Sequence, residues 1–346
     1  MATMRVEKTE NQTAYGLLSR YRSALMGVAT LWVMLFHAYP FEFGVLPLDA
    51  FKAVGFCGVD LFILLSGMGL SVSLQKKAGQ ERLGAYYRRR LSRILPAYWL
   101  VVGIYSLWLR LQGRISLTVA AWSMSTLHYW FDIPNSFNWY VPAQLAFYLI
   151  APFYVGRLVR CRHREVPTLL AFPVSFALCR LSGVLGVSYL VDFLYRLPAF
   201  AIGCLLGCYL LEGRELTDRH KAMWGCLAAC GAALGLLRLA GTIYISFCYV
   251  ITALAVPVCL LLCMGLERLP WRGPERFLRL LGTNSLEIYL LNVVVTREFD
   301  TLAPLLDRGP RHLFYYAVVY TLNILLALLL HRGIEAVRSR WESRAA

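Results

Sequence analysis

Charged side chains are scarce in this chain: Asp, Glu, Lys and Arg make up 16% of 346 residues against 58% hydrophobic, and the mean hydropathy is +0.55. A soluble domain of this length would be far less apolar, so the bilayer is the solvent that this composition requires. Acidic residues are scarcer still, 20 against 35 basic ones, which leaves a formal net charge of +15. Nucleic acid is nevertheless not an expected partner, because the basic residues lie between apolar runs and not on a polar domain of their own. Also missing are the alternating apolar and polar pattern of barrel strands, any internal repeat, and any Pro/Gly-rich linker between domains. The first apolar run is followed by no small-residue cleavage site, so it reads as a retained membrane helix and not as a signal peptide. Nine of the ten cysteines, all but Cys161, fall inside apolar runs without nearby histidines, where packing is their expected role.

What is present is a series of apolar runs of roughly 17 to 23 residues, the length that crosses a hydrocarbon core about 30 Å thick. In lipid each backbone amide needs an internal partner, so the runs are helices. They fall at 24–41, 51–74, 91–111, 139–155, 167–187, 189–211, 222–239, 243–266, 278–296 and 313–331. The expected fold is therefore all-α, a polytopic membrane helix bundle of about ten transmembrane helices. A short eleventh stretch, 115–130, carries Ser116, Ser123, Ser125 and His128 and ends in a breaker run, so an interfacial or re-entrant segment is expected there. Charge supports ten spans: with a cytoplasmic N-terminus, about 26 basic residues fall on inside segments and about 7 outside. This divides the chain into a cytoplasmic tail at 1–23, a membrane domain at 24–333 and a second cytoplasmic tail at 334–346, in a multi-pass cell-membrane protein contacting lipid throughout.

Ionisable groups inside apolar runs are costly and are the first candidates for chemistry. His37 lies near the outer end of the first span and Asp60 in the outer half of the second, joined by a short loop. A carboxylate beside an imidazole fixes its tautomer and raises its basicity, which suits a general base acting on a hydroxyl. The plainer alternative has each bridging helices. Asp192, Arg196, Arg180 and Glu287 are further intramembrane candidates, with Asp192 and Arg196 spaced i, i+4 so that they can pair.

Several collinear segments resemble the acyltransferase type 3 family of multi-span membrane enzymes. They are Leu25-Met26-Gly27-Val28-Ala29 leading to Phe36-His37, Gly58-Val59-Asp60-Leu61-Phe62 leading to Leu65-Ser66-Gly67, and Tyr87-Arg88-Arg89-Arg90-Leu91-Ser92-Arg93-Ile94-Leu95-Pro96. Trp139 through Phe147-Tyr148-Leu149 to Pro152, Arg196-Leu197-Pro198, and Leu281-Gly282-Thr283-Asn284-Ser285-Leu286-Glu287 complete the series. The resemblance implies transfer of an acyl group, commonly acetyl, from cytoplasmic acyl-CoA to a hydroxyl of an extracytoplasmic acceptor, usually a cell-surface glycan. It makes His37 the central catalytic residue. The chain departs from the family pattern at Met26, where an arginine is usual, at Gln144, often a glutamate, and at Asn292, often a histidine.

The expectations are these. His37 is the base and Asp60 its orienter. Arg88, Arg89, Arg90 and Arg93 form a donor clamp, guanidinium forks being suited to phosphates, and Arg22, one turn below Met26, is a further donor contact; topology signalling is the plainer role of the cluster. Trp139, Gln144, Tyr148 and Arg196 are the acceptor-side candidates, an interfacial aromatic belt being the plainer reading of the rings. Acyl transfer between thioester and alcohol needs no metal and no tightly bound cofactor, only acyl-CoA as co-substrate. A glycan transporter or flippase, or a non-catalytic family member in envelope assembly, are the alternatives.

Overall fold

A computed structural model describes residues 13–39, 41–134, 137–299 and 310–345, and among them all regular structure is helical. Arg5, Lys8 and Arg308, and the side chains of Arg311 and Arg344, all counted above for sidedness, lie outside the described residues, as does Asn135 of the breaker run. In chain order the helices are α1 (Ala14–Arg20), α2 (Arg22–His37), α3 (Leu46–Ala53), α4 (Gly58–Lys76), α5 (Leu83–Leu111), α6 (Leu117–Ser125), α7 (Tyr140–Arg160) and α8 (Glu165–Val184). They continue as α9 (Val191–Leu194), α10 (Leu197–Leu211), α11 (Asp218–Leu239), α12 (Phe247–Arg268), α13 (Gly273–Thr283), α14 (Ser285–Phe299) and α15 (Pro310–Ala345).

Seven helical segments are long and apolar enough to cross a membrane, and α13 with α14 forms an eighth that breaks at Asn284. The shorter apolar α2 and the 21-residue α7 bring the set to the ten expected. The doubtful eleventh stretch contains only the nine-residue α6, which at 1.5 Å per residue is far too short to span. Side chains close several helix starts: Thr13, Ser116, Thr217 and Ser246 each accept a backbone N–H of the first turn. Both tails expected from charge carry helix: α1 buries Tyr15 and Leu18, and α15 runs unbroken through 334–345.

The chain forms two compact units. The first comprises Met1–Ala29, Cys57–Arg82 and Ala143–Leu280. Its centre is the pair α4 and α10, both buried along most of their length. Glycine lets their backbones touch: a Cβ on Gly203 would meet the Leu64 carbonyl oxygen at 2.0 Å, and one on Gly67 would meet that of Phe200 at 2.8 Å. Beside this pair, α1 sets the Tyr15 ring against that of Tyr209, tilted by 49° with centroids 5.2 Å apart, and α11 meets α12 where Gly231 faces Ala253.

The second unit comprises Thr30–Phe56, Leu83–Pro142 and Leu281–Ala346. Here Met34, Leu281, Ile288 and Ala327 form a core cluster, and the Tyr320 hydroxyl donates to the Met34 carbonyl at 2.6 Å. Helix α6 is held on α5 by Tyr98, whose hydroxyl donates to the Ser123 carbonyl, and by Trp99, whose indole donates to that of Met124.

Candidate active site

Helix α2 ends on His37, and the ring orientation follows from one contact: Nδ1 lies 2.8 Å from the Val33 carbonyl oxygen, one turn back. A carbonyl can only accept, so Nδ1 carries the proton and Nε2 of the neutral ring keeps its lone pair. No hydrogen bond is made by Nε2 among the described residues. The ring forms part of the wall of a cavity of about 370 Å³, together with Tyr39, Asn138, Trp139, Tyr289, Thr296 and Arg297, all of the second unit. The arrangement provides a half-buried proton acceptor, a flat aromatic face, hydroxyl and amide groups, and one cation.

The walls come from three segments. Tyr289, Val293, Thr296 and Arg297 recur at i, i+4, i+7 and i+8 along α14, so one helix face lines the cavity. The segment 126–139 supplies Asn138 and Trp139, and His128 fastens it: its Nε2 lies against the Asn138 carbonyl and therefore donates to it, and the imidazole is 1% exposed. Burial holds His128 below the ordinary histidine range, against the raising effect of that hydrogen bond, so it serves as a neutral tether. Glu298 accepts from the Tyr105 hydroxyl at 2.7 Å, and its two carboxylate oxygens accept from Arg114 Nη1 at 2.7 and 2.9 Å, which ties α14 to α5 and its following turn.

The acceptor-side candidates are distributed. Trp139 shares the cavity with His37. Gln144, in the first unit, donates from Nε2 to the Ser66 hydroxyl at 3.0 Å, while its Oε1 is buried with no hydrogen bond among the described residues. Tyr148 lies one turn further along α7 and is 8% exposed. Arg196 is 2% exposed and sits 3.8 Å from the Asp60 carboxylate; it also pairs with Asp192 at 3.4 Å, as the i, i+4 spacing anticipates. Asp60 also accepts from the Thr252 hydroxyl at 3.4 Å. The first unit thus joins Asp60 to Arg196, two residues that the sequence suggested for different roles.

Among the donor candidates, Arg22 donates from Nε to the Leu65 carbonyl at 2.8 Å, and its guanidinium occupies the space that a side chain at Gly69 would fill. Arg88 and Arg93 are exposed on α5, Arg89 and Arg90 half-buried, and Arg90 lies over the Tyr86 ring at 5.7 Å. Arg89 and Arg93 share a helix face by their i, i+4 spacing. The intramembrane Glu287 accepts from His331 Nδ1 at 2.9 Å, an α14–α15 link.

Sequence reading missed Tyr39, Asn138, Tyr289, Thr296 and Arg297. For Arg297, one of the basic residues on the outside segments, the i, i+4, i+7, i+8 spacing from Tyr289 through Val293 and Thr296 is the available signal.

A helical membrane protein with a histidine in a small polar cavity is what the fold and site define. The chain belongs to the acyltransferase family, whose profile, described as an acyltransferase domain, matches residues 24–332. It is similar to BcsY of Komagataeibacter xylinus, named as a membrane-bound transacylase, at 29% identity over 53% of this chain and 49% of that protein. It is also similar to the exopolysaccharide production protein ExoZ of Rhizobium meliloti (strain 1021), at 27% identity over 68% of this chain and 75% of that one. The chain thus spans about half the length of BcsY and three quarters of ExoZ. No solved structure matches it.

Proposed function

We propose that the protein transfers an acyl group, acetyl in the simplest case, from acyl-CoA to a hydroxyl of an extracytoplasmic polysaccharide or its precursor. The observation that carries this reading is the His37 ring: Nδ1 bound to the Val33 carbonyl, Nε2 available, and a cavity of polysaccharide-compatible chemistry around it. The names of ExoZ, an exopolysaccharide production protein, and BcsY, a transacylase, agree with such an acceptor.

In the reaction His37 Nε2 takes the hydroxyl proton as the alcohol oxygen attacks the thioester carbonyl. The carbon–sulfur bond breaks, coenzyme A leaves as thiolate, and the proton held on His37 passes to it. Trp139 offers a face for a sugar ring, while Asn138, Thr296 and Arg297 offer hydrogen bonds to its substituents. Arg88, Arg89, Arg90 and Arg93 bind the donor phosphates at the cytoplasmic face. With the Nδ1 proton of His37 held by the main chain, Asp60 acts by fixing Arg196, and with it α4 against α10. The basic-residue asymmetry supports cytoplasmic termini and an external His37 end of α2. No resident cofactor enters the reaction.

The test is acyl transfer to an added glycan by detergent-purified His37→Ala beside the unsubstituted protein, with thermal unfolding measured on both. A positioned base contributes about 10² to 10⁴ in rate, so transfer is expected to fall by that factor with the melting temperature retained; Asp60→Asn lowers transfer less. Near-normal transfer by a well-folded His37→Ala protein overturns the mechanism.

A further inference from the structure

Two cysteines that acyl transfer leaves unused meet at one end of the first unit. Cys57 directly precedes α4 and Cys248 is the second residue of α12, where its amide donates to the capping Ser246 hydroxyl. Both side chains are fully buried, at 0% exposure. Their sulfur atoms and a carboxylate oxygen of Asp60 all lie within 4.8 Å of one another. The pairing is in register on both helices: Cys57 and Asp60 share a face of α4 at i, i+3, Cys248 and Thr252 share a face of α12 at i, i+4, and Thr252 donates to Asp60.

The location also fixes a compartment. α4 runs from Cys57 toward Lys76 and Lys77, and α12 runs from Cys248 toward Arg268 and Arg272, so both cysteines occupy the ends remote from the basic clusters. By the positive-inside rule those ends face the extracytoplasmic side, where disulfides form and persist. The remaining buried cysteines have no such placement: Cys259 lies in the middle of α12 and Cys263 nearer its basic end, and Cys204 and Cys208 lie in the middle and at the basic end of α10.

We infer that Cys57 and Cys248 are joined by a disulfide in the mature protein, tying the start of α4 to the start of α12; the inference rests on the sidedness proposed above. Rotation about the two Cα–Cβ bonds brings sulfurs already this close toward the S–S bond length of about 2.05 Å. In the reaction both S–H bonds break and one S–S bond forms. The two electrons and two protons pass to the disulfide of an extracytoplasmic thiol oxidoreductase, which is reduced to its dithiol. A metal ion on the same three groups is disfavoured because the Arg196 guanidinium already stands 3.8 Å from Asp60 as its counter-ion. Closing a loop of this length restricts the unfolded chain and holds Thr252 at the Asp60 carboxylate.

The experiment uses the full-length protein extracted from membranes under denaturing conditions in excess N-ethylmaleimide. It is then digested without reduction, and its peptides are identified by mass spectrometry. The expected result is a linked peptide pair containing Cys57 and Cys248, lost on reduction, with both cysteines then taking a second alkylating label and Cys204, Cys208 and Cys263 carrying the first. N-ethylmaleimide on both Cys57 and Cys248 overturns the inference. So does stoichiometric zinc in the native protein whose removal by a chelator exposes both thiols. The linked pair is read independently of acyl transfer and of the loop labelling described below, so failure of either reading stays distinct from failure of this one.

Discussion

A side chain at Gly203 has no room, because the Leu64 carbonyl oxygen would stand 2.0 Å from its Cβ. The contact is backbone against backbone, so neither partner can yield by changing rotamer. Gly203→Ala is expected to destabilise the protein by at least about 1–3 kcal/mol, the ordinary cost of overpacking. Gly156→Ala on α7, where nothing lies within 4 Å, is the control, neutral or stabilising by up to about 1 kcal/mol. Thermal unfolding in detergent reads both; equal melting temperatures would contradict the close approach.

The buried Asp60–Arg196 pair makes a second prediction. Removing one member of such a pair strands the other and costs about 3–5 kcal/mol, whereas removing both costs much less. Arg196→Met is therefore expected to lower the melting temperature strongly and Asp60→Asn with Arg196→Met to recover part of the loss. Additive effects in the double variant would mean that the two charges stabilise the fold independently.

At the His37 cavity, binding and chemistry separate. Arg297→Gln removes a charged contact typically worth about 1.5–3 kcal/mol, so the KM for an anionic glycan acceptor is expected to rise roughly tenfold or more. Its kcat is expected to change little. His37→Ala gives the opposite split, loss of kcat with a modest change in KM. Steady-state kinetics on the two variants distinguish acceptor contact from base.

Donor affinity is expected to depend on the α5 arginines. Arg89→Gln or Arg93→Gln is predicted to weaken coenzyme A binding roughly tenfold or more, by the same charge-assisted magnitude. Unchanged binding in a correctly inserted protein would leave the cluster as a topology signal.

Sidedness is read by labelling with a membrane-impermeant maleimide, using single cysteines at Lys77 or Asp49 in a variant that keeps only Cys57 and Cys248. Asp49→Cys is expected to label in intact cells and Lys77→Cys only after permeabilisation. The reverse pattern would invert the proposed orientation.

How far the sequence could be read depended on the range of each interaction. The helices were legible because their cause is local: an apolar run of membrane-crossing length has one way to satisfy its amides. The i, i+4 pairing of Asp192 with Arg196 was legible for the same reason. Asp60 meeting Arg196 was not, since helix periodicity says nothing about which face of α4 meets which face of α10. Nor was the role of Val33: any residue four positions before His37 presents the same carbonyl, and only the observed ring orientation selects it. Trp139, singled out by its motif, lines the same cavity as His37. Tyr39, Asn138 and Thr296 are ordinary residues that gain meaning only from the cavity they share.

Synthesis adds a timescale to the Asp60–Arg196 pair. The carboxylate enters the membrane with α4, and its counter-ion is more than a hundred residues further along the chain. At about 5–20 residues per second, translation reaches Arg196 on the order of ten seconds later. Over that interval Asp60 does not have the Arg196 guanidinium beside it. The pairing of α4 with α10 therefore follows insertion of the second span, and a chain truncated before Arg196 keeps that carboxyl without its partner.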